Sequence, residues 1–343
     1  MAIEVRVESA RADWDAFVAA HPGATAYHAW DWRDVFGPVF GHRPVYLAAR
    51  EAGQVVGVLP LVAFRSRLFG TFFCSLPFVN YGGVLATSPA AAAPLLAEAT
   101  RLAREAGASH VELRHVARQF DAAPLRQHKV TMLLPLKESA DAQWTALDNK
   151  VRNLVRKAEK SDLTSESGDG RLLDAFYAVF SLNMRDLGTP VYPKRFFAAV
   201  IKACGDRARL HVVRHGAAPV AASMTIAHAD RVEVPWASAL RSARQMNPNM
   251  LLYWHMLQFG IARGCTRFEF GRCTPGEGPF HFKKQWGAEA SPLVWEYWHA
   301  GPVADVDKTP RNPKYRAAVA IWQRLPVGLT TVVGPRIVRS IPC

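Results

Sequence analysis

The segment LLYWHMLQFGIARGCTRFEFGR, Leu251 to Arg272, reads as an apolar helix stopped at Gly264 and followed by a strand. Alternation along that strand puts Phe268 and Phe270 on one side and Glu269 on the other, so Glu269 faces a cleft or is a buried, paired carboxylate. The pattern occurs once before. LLAEATRLAREAGASHVELRH, Leu95 to His115, is an Ala/Leu-rich helix stopped at Gly107 and followed by a strand. Aligned on the glycines, the offset is 264 − 107 = 157, which superposes Glu112 on Glu269.

Working outward, PVYLAAREAGQVVGVLPLV (Pro44 to Val62) and ARLHVVRHGAAPVAASMTI (Ala208 to Ile226) both read as strand, Gly turn and strand. Two copies of one α/β unit follow, each an N-terminal helix, a hairpin, a further strand, a helix and a strand. The predicted fold class is therefore α/β, with two tandem units, each a mixed sheet flanked by helices. The expected boundaries are 1–140 for the first unit, 141–162 for a basic connecting helix, 163–300 for the second unit, and 301–343 for an apolar, basic tail.

The connecting segment DNKVRNLVRKAEKS, Asp148 to Ser161, holds good helix formers without Gly or Pro. Val151, Leu154, Val155 and Ala158 share one face, whereas Arg152, Arg156 and Lys160 recur every fourth residue on another. It is either a solvated amphipathic face or a phosphate-contacting stripe.

The bulk composition bounds the function. The 343 residues are 50% hydrophobic and 21% charged, a globular balance, and 42 Lys+Arg against 29 Asp+Glu give a net charge of +13. That excess favours anionic partners such as RNA, nucleotide phosphates or an acidic membrane face. The cysteines, Cys74, Cys204, Cys265, Cys273 and Cys343, lack CxxC spacing and a histidine-rich neighbourhood, so reduced thiols and no metal site are expected. The start MAIEVRVESARADW has no apolar core of a signal peptide, and no apolar run approaches membrane-spanning length, so a cytoplasmic location is expected.

The two-copy layout, KVRNLVRKAEKS after the first copy, PNMLLYW opening the late helix, and FEFGR…HFKKQWGAE closing the second copy resemble the Fem-type aminoacyltransferases and the related BioF-like acetyltransferases. The whole pattern is most similar to the Fem-like proteins that accompany exosortase and PEP-CTERM sorting systems. The resemblance runs over roughly residues 1 to 300. It implies two GNAT units and transfer of an acyl or aminoacyl group to an amine of a cell-envelope precursor, related to peptidoglycan or exopolysaccharide. The co-substrate is aminoacyl-tRNA or acyl-CoA, with no tightly bound cofactor and no DNA partner. The alternatives are an acyl-CoA-dependent small-molecule N-acetyltransferase and a non-catalytic RNA-binding or scaffold protein on a degenerate GNAT fold.

Such an enzyme must hold the donor phosphates, stabilise an oxyanion and remove a proton from the attacking amine. The resemblance carries the reaction-centre Phe-Lys pair onto Phe282 and Lys283, with Lys283 as oxyanion or phosphate stabiliser. Arg272 follows the strand and offers a fixed fork to phosphate or carboxylate, or pairs with Glu277 or Glu289. Glu233, Glu269 and His281 are the candidates for general base. In SARQMNPNMLLYW, Asn247-Pro248-Asn249 stand where GNAT enzymes carry a Gly-rich phosphate turn, so Asn247 and Asn249 are expected at the donor, or Asn247 caps a helix with Pro at its first position. Arg152 and Arg156 join the donor set.

For the acceptor, FVNYGGVLA (Phe78 to Ala86) offers Asn80 and Tyr81 beside a double glycine, and NMRDLGTPVYP (Asn183 to Pro193) offers Arg185 and Tyr192. His28, Trp30 and Trp32 in YHAWDWRDVF are expected to pack the core. The tail combines an apolar stretch with Arg324, Arg336 and Arg339 and predicts either packing on the protein body or a peripheral contact with the inner membrane face.

Overall fold

The computed structural model describes residues 2–66, 70–121, 124–299 and 313–341. Residues 300–312, which open the tail, and Pro342 and Cys343 lie outside the described residues. The chain forms two compact units, Met1–Lys129 with Pro292–Asp307 and Arg339–Cys343, and Val130–Ser291 with Lys308–Val338.

In the first unit the hairpin Arg43–Glu51/Gln54–Ser66 turns at Ala52 (φ 47) and Gly53 (φ 82), the left-handed pair that matches strand twist in a tight hairpin. Ile3–Val7 pairs antiparallel with its first strand and Gly70–Cys74 antiparallel with its second. His110–His115 then runs parallel to Gly70–Cys74, and the strand Glu289–His299 pairs antiparallel with His110–His115 from Val294 onward. Helix Pro89–Glu105 starts at Ser88, whose hydroxyl accepts from the Ala91 amide, and buries Ala91, Ala92, Leu95, Ala99 and Ala103 on one face.

The second unit repeats this order. Leu163–Gly168, Ala208–His215, Ala218–His228 and Arg231–Ala239 form an antiparallel run. Arg267–Cys273 lies parallel to Arg231–Ala239, and Val130 to Pro135 of the strand Leu125–Pro135 pairs antiparallel with Arg267–Cys273. The helix preceding Gly264 is Pro248–Ala262, buried along most of its length among Val232, Phe268, Phe270 and Trp286. Gly107 (φ 63) and Gly264 (φ 77) both take the left-handed conformation after their helices, which is why the repeat aligns on them.

The units divide the chain differently from the expected boundaries. Val130 to Pro135 belongs to the second unit and Pro292 to His299 to the first, so each unit takes its sixth strand from beyond the repeat. Local periodicity identifies a strand, but only register names the sheet it joins. The basic helix Asn149–Glu159 lies within the second unit, where Val151, Val155 and Ala158 are buried and it packs against Pro248–Ala262. Asp148 caps it, accepting from the Lys150 amide at 2.7 Å. The described cysteines, Cys74, Cys204, Cys265 and Cys273, are buried.

Candidate active site

Strands Arg231–Ala239 and Arg267–Cys273 pair in parallel only over Arg231↔Arg267, Val232↔Phe268 and Glu233↔Glu269 among the described residues, although both continue. Gly271 causes part of the divergence. Its φ of 74 is accessible mainly to glycine, and the register of its strand against Leu125–Pro135 shifts between Glu269 and Arg272. The ladder therefore ends at the carboxyl ends of two parallel strands, the usual place for a ligand in such sheets.

Both residues of the last pair are buried carboxylates, Glu233 2% exposed and Glu269 0%. Thr131 Oγ1 donates to Glu269 Oε1 at 2.5 Å, and an Arg231 guanidinium N–H donates to Oε2 at 3.2 Å. These partners satisfy a buried carboxyl group that would be strongly unfavourable without them. Glu269 is thus the buried, paired carboxylate of the two sequence alternatives.

Lys283 lies in the last turn of the short helix Gly278–Lys284 and is 7% exposed. Its Nζ donates to the Gly271 carbonyl at 2.7 Å and the Arg272 carbonyl at 3.0 Å. Burial lowers its pKa to about 8, against the opposing pull of Cys273, Glu269 and Glu233. The ammonium therefore sits at the divergent end of the strand that carries Glu269. Phe282 packs edge-on to Tyr253, ring centroids 5.0 Å apart, and Tyr253 stacks on Phe270 at 5.3 Å. Arg272 is half-buried beside the Lys283 contact.

The other predicted residues are distributed more widely. Asn247 stands before helix Pro248–Ala262 in a left-handed conformation (φ 55), without a side-chain cap, and Pro248 takes the first turn. Asn249 is half-buried in that turn. The expected asparagine cap is therefore replaced by a helix start whose first amides have no capping side chain. Arg152 bonds Asn149 Oδ1, while Arg156 bonds Asn153 Oδ1 at 3.3 Å and lies 5.4 Å from the Trp144 ring centroid. His281 is exposed and contacts the Gly276 carbonyl at 3.1 Å. Arg185 donates to Asp186 at 2.7 Å and to the Leu325 carbonyl at 3.1 Å, and Tyr192 is buried among Phe180 and Phe196. Arg185 thereby joins the C-terminal segment, while Tyr192 belongs to an aromatic cluster of the second unit.

Asn80 and Tyr81 are buried in the first unit. Tyr81 borders a cavity of about 140 Å³ lined also by Thr25, His28, Gly83, Arg114 and His115. The Gly82 and Gly83 amides donate to the Arg114 carbonyl, and the His115 ring lies where a Gly83 side chain would stand. Trp30 and Trp32 are core residues, as expected.

Sequence reasoning missed Thr131, Arg231 and Tyr253. Tyr253 lay in the quoted PNMLLYW and Arg231 in the strand holding Glu233, but Thr131 falls on a strand that local pattern assigned to the other unit.

Residues 146–284, the span holding Glu233, Glu269 and Lys283, match the Acetyltransferase (GNAT) domain family. The protein is an acyltransferase. None of the curated proteins matches it. Among solved structures, the acyltransferase is similar to that of FemX, with a TM-score of 0.65 at 15% identity, covering 85% of this chain and 96% of that one. It is similar to L-PGS from Bacillus licheniformis, a lysylphosphatidylglycerol synthetase, at TM-score 0.57 and 11% identity, covering 96% of each chain. It is also similar to a tandem GNAT protein from the clavulanic acid biosynthesis pathway, at TM-score 0.55 and 13% identity, covering 88% of this chain and 100% of the other. At these identities the likeness is one of fold.

Proposed function

We propose that the acyltransferase moves an acyl or aminoacyl group from a thioester or ester donor onto an amine of a cell-envelope precursor. The observation that carries this reading is the buried Lys283 ammonium. Two of its three N–H bonds go to the Gly271 and Arg272 carbonyls, and the third remains for the oxyanion of a tetrahedral intermediate. In the reaction the amine nitrogen bonds the donor carbonyl carbon, the carbon–oxygen or carbon–sulfur bond breaks, and the amine proton leaves with the departing group or to Glu233. Arg272 contributes positive charge beside the developing anion. The Asn247–Asn249 turn and the basic helix with Arg152 and Arg156 take the donor's phosphates, while Asn80 and Tyr81 serve acceptor recognition in the first unit.

The FemX and L-PGS likenesses, together with the resemblance to Fem-like proteins of exosortase and PEP-CTERM systems, favour aminoacyl-tRNA as donor and an envelope acceptor. An acceptor of that kind resides at the inner membrane face, so the reading includes a peripheral membrane contact through the tail. The match to an acetyltransferase domain favours a second reading, transfer from acyl-CoA to a small amine.

Mass spectrometry after incubation with charged bulk tRNA, and separately with a panel of acyl-CoAs, tests both against a bacterial envelope extract as acceptor. An amide product from charged tRNA is expected. Product from acyl-CoA alone moves the protein to the second reading, and product from neither overturns both.

A further inference from the structure

The C-terminal helices Pro313–Trp322 and Val327–Val338 dock on the second unit by small side chains. In the second helix the buried positions are Thr330, Gly334 and Val338, spaced four apart on one face. A Cβ on Gly334 would stand 2.9 Å from the Val191 backbone nitrogen, so this approach requires glycine. Val319 of the first helix packs on Gly188 in the same way. The Arg185–Leu325 bond and a Gln323 Nε2 bond to the Asp186 carbonyl at 3.0 Å fix the pair further.

Three large apolar residues of these helices face outward, although Trp322, Val333 and Ile337 are half-buried and Val338 is buried. Ile321 is 63% exposed, Val332 59% and Leu329 46%. Leu187 is 52% exposed, next to the Asp186 carbonyl that receives Gln323 and Arg241. A helix on a water-exposed surface ordinarily turns its apolar stripe inward and its polar one outward. This pair leaves part of its apolar surface outward as well. Charge accompanies the pattern, because Lys308 to Cys343 contains seven Lys or Arg and no Asp or Glu. Arg324, Arg336 and, beside the first helix, Arg241 are exposed.

We propose that this face docks on an anionic lipid bilayer, with Ile321, Leu329, Val332 and Leu187 entering the headgroup boundary and Arg324, Arg336 and Arg241 meeting lipid phosphates. The choice follows from the combination of exposed apolar side chains with unopposed positive charge, which a protein partner of ordinary composition does not complement as well. No helix among the described residues is long and apolar enough to cross a membrane, so the contact is interfacial. The inference deepens the peripheral contact named in the proposed function and is independent of the donor.

Flotation of the full chain with phosphatidylglycerol-containing vesicles and with pure phosphatidylcholine vesicles tests it. The wild type should float with the anionic vesicles and be released by added salt. Leu329→Asp/Val332→Asp and Arg324→Glu/Arg336→Glu should each lower recovery by at least about tenfold, with unchanged circular dichroism and melting temperature. Folded variants that float like the wild type would overturn the proposal. So would a wild type that stays unbound yet self-associates in a manner lost in Leu329→Asp/Val332→Asp, which would assign the face to a second copy of the chain. Acyl transfer failing with every donor would leave the flotation result standing, so the two readings fail separately.

Discussion

Glu233 and Glu269 face each other in the last register pair of the parallel ladder, both buried, at the point where their strands diverge. Glu269 is held there by Thr131 and Arg231. Glu269→Ala leaves the Arg231 charge without this partner and should destabilise the second unit by about 3–5 kcal/mol. Thr131→Val removes one neutral donor and should cost about 1–2 kcal/mol. Denaturant unfolding followed by fluorescence measures both, and equal losses would contradict the assigned roles.

Lys283 supplies a pH signature. Burial lowers its folded pKa to about 8 from 10.5. Below that value both folded and unfolded chains hold the proton, so the burial penalty is fully present. Between about 8 and 10.5 the unfolded chain binds a proton that the folded chain has released, so stability rises with pH across this window. Denaturation midpoints on either side of the window should therefore rise for the wild type relative to Lys283→Met. The acyl-transfer rate should fall through the same pH, because the reaction uses the ammonium.

Gly271 sets the divergence through a left-handed φ. Gly271→Ala should cost roughly 1–3 kcal/mol in strain and lower the transfer rate by displacing the carbonyls that hold Lys283. An alanine variant with wild-type stability and rate would show that the turn is unimportant.

Arg185 ties the second unit to the Leu325 carbonyl. Arg185→Ala should speed proteolytic cleavage near residue 325 several-fold with little change in the amide-forming rate. A lost rate with unchanged cleavage would restore Arg185 to substrate recognition.

Much of the fold was legible because its signals are local. Ala52–Gly53 marks a hairpin and Gly107 and Gly264 mark helix ends, since each glycine meets a backbone requirement where it stands. The sixth strand of each unit was not legible. Val130 to Pro135 has ordinary strand character, and only its pairing with Arg267–Cys273 reveals its unit. Glu269 was visible by strand alternation, but its partner Thr131 lies 138 residues away and carries no local mark. Lys283 entered through family resemblance, and its burial and carbonyl bonds depend on a turn of helix that the quoted HFKKQW did not announce. The outward apolar face of the tail was half visible in composition, while the inward glycine contacts that orient it required coordinates.

The most direct measurement is the single-turnover amide-forming rate of Lys283→Met beside the wild type, with the variant's fold verified by circular dichroism. A stabilised oxyanion predicts a rate loss of roughly a hundredfold to a thousandfold, with donor binding largely retained. An undiminished rate in the folded variant would contradict the assignment of Lys283 to the reaction centre.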